Sequence, residues 1–325
     1  MKSTRLVGVL REFASPVRLT ATSRLVMPLL LLGPMLGNGL VAQAVPAPAV
    51  SVGQEFGINT IPLWPAEGTT DGSNQSTLTI FRPQTVKPNH AAVIVAPGGG
   101  YVTLGMNVEG RQVADWFTTR GFTAVVLKYR LGPHHPYPEP LLDGQRAMRL
   151  VRSMSSDLHL DPDKIGFVGF SAGGHLAAMV ATSSDEGNAQ APDPVERFSD
   201  RPNFLVLGYA WLNAMQPNAQ RMITYCLVLR TLPEDKCKEW ESLYTPALHI
   251  SPKMPPTFLY GTTDDSTVSV SASVDFYTAL VKAGIPAELH IFGHGAHGSG
   301  LGGGDPSLDM WPVLLENWLR AQHII

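Results

Sequence analysis

Around Ser171 the chain reads Gly169-Phe170-Ser171-Ala172-Gly173-Gly174, a G-x-S-x-G with glycine two places either side of a serine. A turn this tight would drive any larger side chain into the neighbouring strand or helix, and it lifts the hydroxyl above the sheet where it can act as a nucleophile. Chance supplies about 0.1–0.2 such matches in a chain of this length. The weight therefore rests on the setting, between the β-rich run before it and the small-residue stretch at 172–181. A second motif, Pro97-Gly98-Gly99-Gly100-Tyr101, closes another apolar run. Consecutive glycines leave backbone N–H groups unobstructed. Gly98 and Gly99, with the N–H of Ala172, could face the negative charge that develops on a carbonyl oxygen under attack. A phosphate cradle fits less well, because neither Lys nor Ser/Thr follows at the required spacing.

A serine at neutral pH needs a base, and the base needs an orienting acid. Ten histidines compete for the first role. His297, in Gly295-Ala296-His297-Gly298, follows the last apolar run, and Tyr260-Gly261-Thr262-Thr263-Asp264-Asp265, after the preceding run, offers Asp264 and Asp265 as the acid. His175 lies only four residues past Ser171, too close in chain to serve as base, and is assigned to packing. His290, His294 and His297 lack both an i, i+4 helical pair and a flanking carboxylate, so no metal and no other cofactor is expected. His134 and His135, before Pro136, read as loop residues near the mouth of the site, and Trp116 and Phe117, at helical spacing with Val113, as core.

These residues must be positioned by regular elements, and the apolar periodicity supplies them. Runs rich in β-branched residues recur at 91–96 (AAVIVA), 123–127 (TAVVL), 165–170 (IGFVGF), 204–207 (FLVL), 257–260 (TFLY) and 287–292 (AELHIF), as in strands buried on both faces. Between them, 108–119, 140–154, 172–181, 270–283 and 308–321 carry helical spacing. Strand and helix alternating in this way imply βαβ units, an α/β fold with a mainly parallel sheet flanked by helices. Such a sheet binds its ligand at the carboxyl ends of its strands, where all the candidate residues fall.

Composition excludes other classes. The 325 residues are 44% hydrophobic and 16% charged, a globular balance, and the net charge of −3 leaves no basic surplus for nucleic acid. The apolar run at 25–36 contains Pro28, Gly33 and Pro34 and falls short of the ~20 residues that cross a bilayer. Residues 1–44 carry Lys2, Arg5, Arg11, Arg18 and Arg24 against Glu12, then that run, then Ala42-Gln43-Ala44. This is the order of a secretory signal peptide. Cleavage after Ala44 would leave 19 bases and 26 acids, hence a secreted or periplasmic protein with no membrane contact once cleaved. Residues 45–60 then read as a linker and 61–325 as one catalytic domain. Cys226 and Cys237 are expected to pair in an exported protein.

The motifs together resemble the α/β-hydrolase esterases labelled xylanase-B-like or acetyl-xylan-esterase-like. They are PGGGY (97–101), EG (Glu109-Gly110), LKYRLG (127–132), DGQRAMRLVR (143–152), DPDKIGFVGFSAGGHLA (161–177), RPNF (201–204), PPTFL (255–259) and AGIPAELHIF followed by AHG (283–298). The chain order serine, acid, histidine belongs to the same superfamily. The resemblance implies a triad of Ser171, Asp265 and His297: relatives place the acid fourth in a T-T-x-D stretch, whereas counting from Gly261 in a G-x-x-D pattern would select Asp264. It also implies a serine esterase that takes acetyl groups from polysaccharides or small esters, with a broad-range carboxylesterase or serine peptidase as the alternative. Val268 is followed here by Ser269 where relatives carry proline, and Ser299 stands where a bulky residue is usual. About 80 residues separate the serine helix from the acid loop, and 222–240 is the only candidate cap, so a small cap or none, and a short acyl group, are expected.

Overall fold

A computed structural model of the chain describes residues 58–65, 75–85, 87–132, 134–135, 137–213 and 242–325. The expected signal peptide, nearly all of the expected linker, the candidate cap and both cysteines lie outside those residues. All six expected runs are strands: β3 (Ala92–Ala96), β4 (Thr123–Lys128), β5 (Ile165–Phe170), β6 (Phe204–Gly208), β7 (Thr257–Thr262) and β8 (Ala287–Phe292). They pair in parallel in the order β4-β3-β5-β6-β7-β8. Two further strands, β1 (Ile58–Pro62) and β2 (Thr77–Phe81), extend the sheet antiparallel beyond β4. Their sequences, INTIP and TLTIF, alternate polar with apolar because one face stays near solvent, so a search for continuous apolar runs passes over them. β1 also begins inside the stretch read as linker, ahead of residue 61. β8 departs from the expectation in another way. It forms the far edge of the sheet and is only half-buried, with Ile291 exposed.

Helices cover both faces. The inward residues of the central strands alternate between two apolar layers: Ile165 and Phe167 of β5 enter one, Val168 and Phe170 the other. The first layer packs under α2 (Glu139–Ser153), α3 (Ala172–Ser183) and α4 (Ser271–Lys282). The second packs under α1 (Gln112–Thr118), which is preceded by a wide helical turn at Met106–Arg111, and α5 (Trp311–Ala321). Phe117 is in that core as expected, while Trp116 is partly exposed beneath the Arg120 guanidinium.

Two buried aspartates fasten loops to α2. Asp143 accepts from Arg130 Nη2 at 2.7 Å, from the Arg130 N–H at 2.8 Å and from Trp64 Nε1 at 2.7 Å. Asp200 accepts from Arg149 Nη2 at 3.0 Å and from the Asp185 N–H at 2.6 Å. Both side chains are fully buried and both face an arginine. Burial nevertheless pushes the Asp200 carboxyl up to about 7 against the pull of Arg149.

Candidate active site

β5 runs directly into α3 through Ser171, whose φ of 52° and ψ of −120° lie outside the regions ordinary residues occupy. Neighbours hold it there: the Ser171 N–H donates to Gly208 O, and its own carbonyl accepts from His175 N–H and Trp211 N–H. The flanking glycines are required by space. A Cβ at Gly169 would lie 2.2 Å from Gly173 O, and one at Gly173 would lie 2.1 Å from Ala96 O.

The fold gathers the three residues that the sequence scatters over more than a hundred positions. His297 Nε2 is 2.8 Å from Ser171 Oγ, and His297 Nδ1 is 2.7 Å from Asp265 Oδ2. An ionised carboxylate only accepts, so Nδ1 carries the proton and the Nε2 lone pair faces the serine hydroxyl. Asp265 Oδ1 accepts from the N–H groups of Thr267 and Val268. Burial works to raise this carboxyl, but the bonds from His297, Val268 and Thr267 outweigh it and hold Asp265 below the ordinary aspartate range. Asp264 turns elsewhere: it is half-exposed, meets His294 Nδ1 at 3.1 Å and accepts from the Gly295 N–H. It anchors the histidine loop rather than the imidazole of His297. His290 pairs with Glu288, so the three histidines of this region are separately partnered, and the described residues hold no cluster of metal-ligating side chains.

Of the three expected oxyanion donors, one is otherwise engaged. The Gly98 N–H donates to the buried Glu109 Oε2 at 2.6 Å, so it cannot turn to a substrate while that bond stands. Gly99 and Ala172 both line the cavity at Ser171, and neither N–H donates to a protein group among the described residues. Gly99 holds φ at 136°, and a Cβ there would strike Thr103 O at 2.1 Å, so only glycine permits this loop. Two residues on, the Tyr101 hydroxyl donates to His175 Nδ1 at 2.7 Å, while His175 Nε2 donates to Tyr244 O at 2.8 Å. His175 is fully buried, as a packing residue would be, and burial lowers it to about 4, so it stays neutral and steadies the glycine loop.

The cavity above Ser171 measures about 650 Å³ and is walled by Thr103, Leu104, Val108, Trp211 and Val268. Trp211 and Tyr209 stand just past the end of β6 and escaped the sequence reading. The signal was present, since both follow a strand end, but the apolar run stops at Leu207 and neither residue belongs to a recognisable motif. Tyr209 sets its ring 5.0 Å from the His297 imidazole and its hydroxyl 2.7 Å from Glu109 Oε1. His135 binds Glu139 at 2.8 Å and does not line the cavity.

A mostly parallel eight-stranded sheet with a serine on the strand-to-helix turn of β5, an aspartate after β7 and a histidine after β8 defines an α/β-hydrolase. Within that superfamily the chain belongs to the BD-FAE family, whose model matches residues 78–280. It is 28% identical over 254 residues to the acetylxylan esterase of Xylanibacter ruminicola, covering 77% of this chain and 49% of that protein. It is 31% identical over 233 residues to endo-1,4-beta-xylanase B of Butyrivibrio fibrisolvens, covering 67% and 35%. The chain thus spans half or less of the length of these curated relatives. Among solved structures, an acetyl ester-xyloside bifunctional hydrolase from Caldicellulosiruptor lactoaceticus superposes with a TM-score of 0.73 at 38% identity, over 82% of this chain and 97% of that one. The resemblance read from PGGGY and the serine turn therefore holds.

Proposed function

We propose that this chain is a serine carboxylic-ester hydrolase that removes short acyl groups, acetyl foremost, from small-molecule or polysaccharide carbohydrate esters after export. The observation that carries this reading is the continuous hydrogen-bonded chain Ser171–His297–Asp265 opening into a cavity that Gly99 and Ala172 line with unengaged N–H groups. Ser171 Oγ attacks the ester carbonyl as its proton passes to His297 Nε2, and Asp265 stabilises the imidazolium that forms. The carbonyl oxygen becomes an oxyanion facing the N–H groups of Gly99 and Ala172. Collapse expels the alcohol, which takes the proton from His297 and leaves an acyl group on Ser171. Water, deprotonated by His297, then attacks the acyl-enzyme and releases the carboxylic acid and free serine. The acetylxylan esterase and the acetyl ester-xyloside hydrolase among the relatives support the carbohydrate ester, and the order of basic and apolar residues in 1–44 supports export.

Initial rates on p-nitrophenyl esters of rising chain length, beside acetate release from acetylated xylan, test the reading. kcat/KM is expected to fall steeply from acetyl to octanoyl, because each added methylene gains little without apolar surface to bury against. A preference for chains of eight or more carbons would overturn the short-acyl assignment.

A further inference from the structure

Glu109 is almost fully buried beside the reacting centre, and among the described residues no cation pairs with it. Its two oxygens accept from neutral donors instead: Oε2 from the Gly98 N–H at 2.6 Å and Oε1 from the Tyr209 hydroxyl at 2.7 Å. Burying a carboxylate among neutral groups costs stability unless the arrangement returns something else. Space is cleared for it as well. A Cβ at Gly105 would lie 2.9 Å from Glu109 Oε2, and one at Gly98 would lie 3.0 Å from it.

Each partner leads to a different half of the site. On one side the Gly98 carbonyl accepts from Gly105 N–H and the Gly105 carbonyl from Glu109 N–H, both at 2.9 Å, so the carboxylate closes a ring of bonds around the loop that presents Gly99. On the other side the Tyr209 hydroxyl, while donating to Glu109, accepts from the Gly300 N–H at 2.9 Å. Gly300 stands three residues past His297, and its carbonyl accepts from the Tyr260 hydroxyl at 3.0 Å and Trp311 Nε1 at 3.1 Å. Burial, first, and then the neighbouring Tyr260 and Glu109 raise the Tyr209 phenol well above its usual value, so its proton stays in place to donate.

We propose that Glu109 is a positioning residue which, through Tyr209, braces the loop of the oxyanion donors against the loop of His297, so that donors and base keep one register. This rests on the ester-hydrolase reading above, since both loops matter only if Ser171 attacks a carbonyl. The Glu109-Gly110 pair, visible in the sequence as a bare motif, acquires a task. A brace of this kind acts on the transition state, where an error in placement of about 1 Å can cost 10²-fold, and leaves ground-state binding nearly alone.

The test is a double-mutant cycle of Glu109→Gln and Tyr209→Phe on p-nitrophenyl acetate, with Ser171→Ala as the reference for the reading itself. Gln keeps the shape of Glu but exchanges one acceptor for a donor, and Phe removes only the hydroxyl. Each single variant is expected to lose about 10- to 100-fold in kcat with KM within about threefold, while the pH dependence of kcat/KM keeps the wild-type midpoint because the bond that His297 donates to Asp265 remains. The double variant is expected to lose little more than the worse single, because both changes cut the same brace. Should Glu109→Gln fail to fold, Tyr209→Phe alone gives the same split between kcat and KM. A kcat within twofold of wild type for a folded variant, a loss confined to KM, or single losses that multiply in the double would each overturn the brace. Full activity in Ser171→Ala would instead overturn the ester-hydrolase reading.

Discussion

Glu109 and the pair Asp143 and Asp200 are all carboxylates withdrawn from water, yet they are treated in opposite ways. The two aspartates, Asp143 within α2 and Asp200 in the loop before β6, both away from the cavity, each meet an arginine: Asp143 a fork from Arg130, Asp200 one nitrogen of Arg149. Glu109, which lines the cavity, meets a backbone N–H and a phenol. A cation beside Glu109 would sit within reach of the charges that form during attack on an ester. Neutral donors fix the carboxylate and, in the proposed reaction, leave the electrostatics to Gly99, Ala172 and His297. The scaffold uses buried charge to fasten loops, and the site uses it to aim groups. Substitutions in the two regions should therefore separate, with lost rate in one and lost stability in the other.

The largest effect belongs to the site. Ser171→Ala, or His297→Ala, is expected to lower kcat by about 10⁴–10⁶ with the melting temperature nearly unchanged, as steady-state kinetics beside calorimetry would reveal. A comparable drop in stability would erase the contrast between the regions. Asp265→Asn comes next, at about 10⁴ in kcat, because the amide favours the wrong tautomer of His297. Asp264→Asn, which touches His294 and the Gly295 N–H, is expected to cost far less. A reversed order would reassign the acid.

In the scaffold, Arg130→Ala strands the fully buried Asp143 with only neutral donors. Leaving such a charge unpaired is expected to remove about 3–5 kcal/mol from the free energy of unfolding, read by urea denaturation, while the folded fraction keeps its KM. The smallest effect is one of pH. Asp200 is raised to about 7 when folded, so between about pH 4 and 7 the unfolded chain loses this proton first and stability declines as pH rises. His175, lowered to about 4, acts in the opposite sense: stability declines as pH falls from about 6.5 to 4, because only the unfolded chain gains the proton. Asp200→Asn deletes the first contribution, and its melting temperature is expected to climb more steeply with pH over this window than that of the wild type. Equal slopes would mean that Asp200 titrates normally in the fold.

Much of this molecule is legible in its sequence. Doubly buried strands such as 165–170 announce themselves as continuous apolar runs, and Ser171 and His297 follow from the tight turn and from the strand ends. β1 and β2 were not legible, because half-exposed antiparallel strands spread their apolar residues over alternate positions. The edge position of β8 leaves only a faint trace, Glu288 and His290 at alternate positions of AELHIF, which the continuously apolar β5 and β6 lack. Asp264 and Asp265 are adjacent and identical in type. Only the direction in which each side chain leaves the loop separates the one that meets His297 from the one that meets Gly295.

The sequence by itself determined the local requirements: small residues at a tight turn, apolar runs where both sheet faces are covered, and a serine flanked by Gly169 and Gly173 on that turn. These depend on steric volume and hydrophobic period, which are properties of neighbours in the chain. Tertiary structure alone decided which groups share a hydrogen bond. That the Gly98 N–H is claimed by Glu109, that Tyr209 links it to Gly300, and that two of the buried acids face arginines while the third, among the described residues, meets neutral donors are matters of distance and direction between separate elements. A hydrogen bond forms or fails within a few tenths of an ångström, and that precision is set by the packing of the whole sheet and its helices.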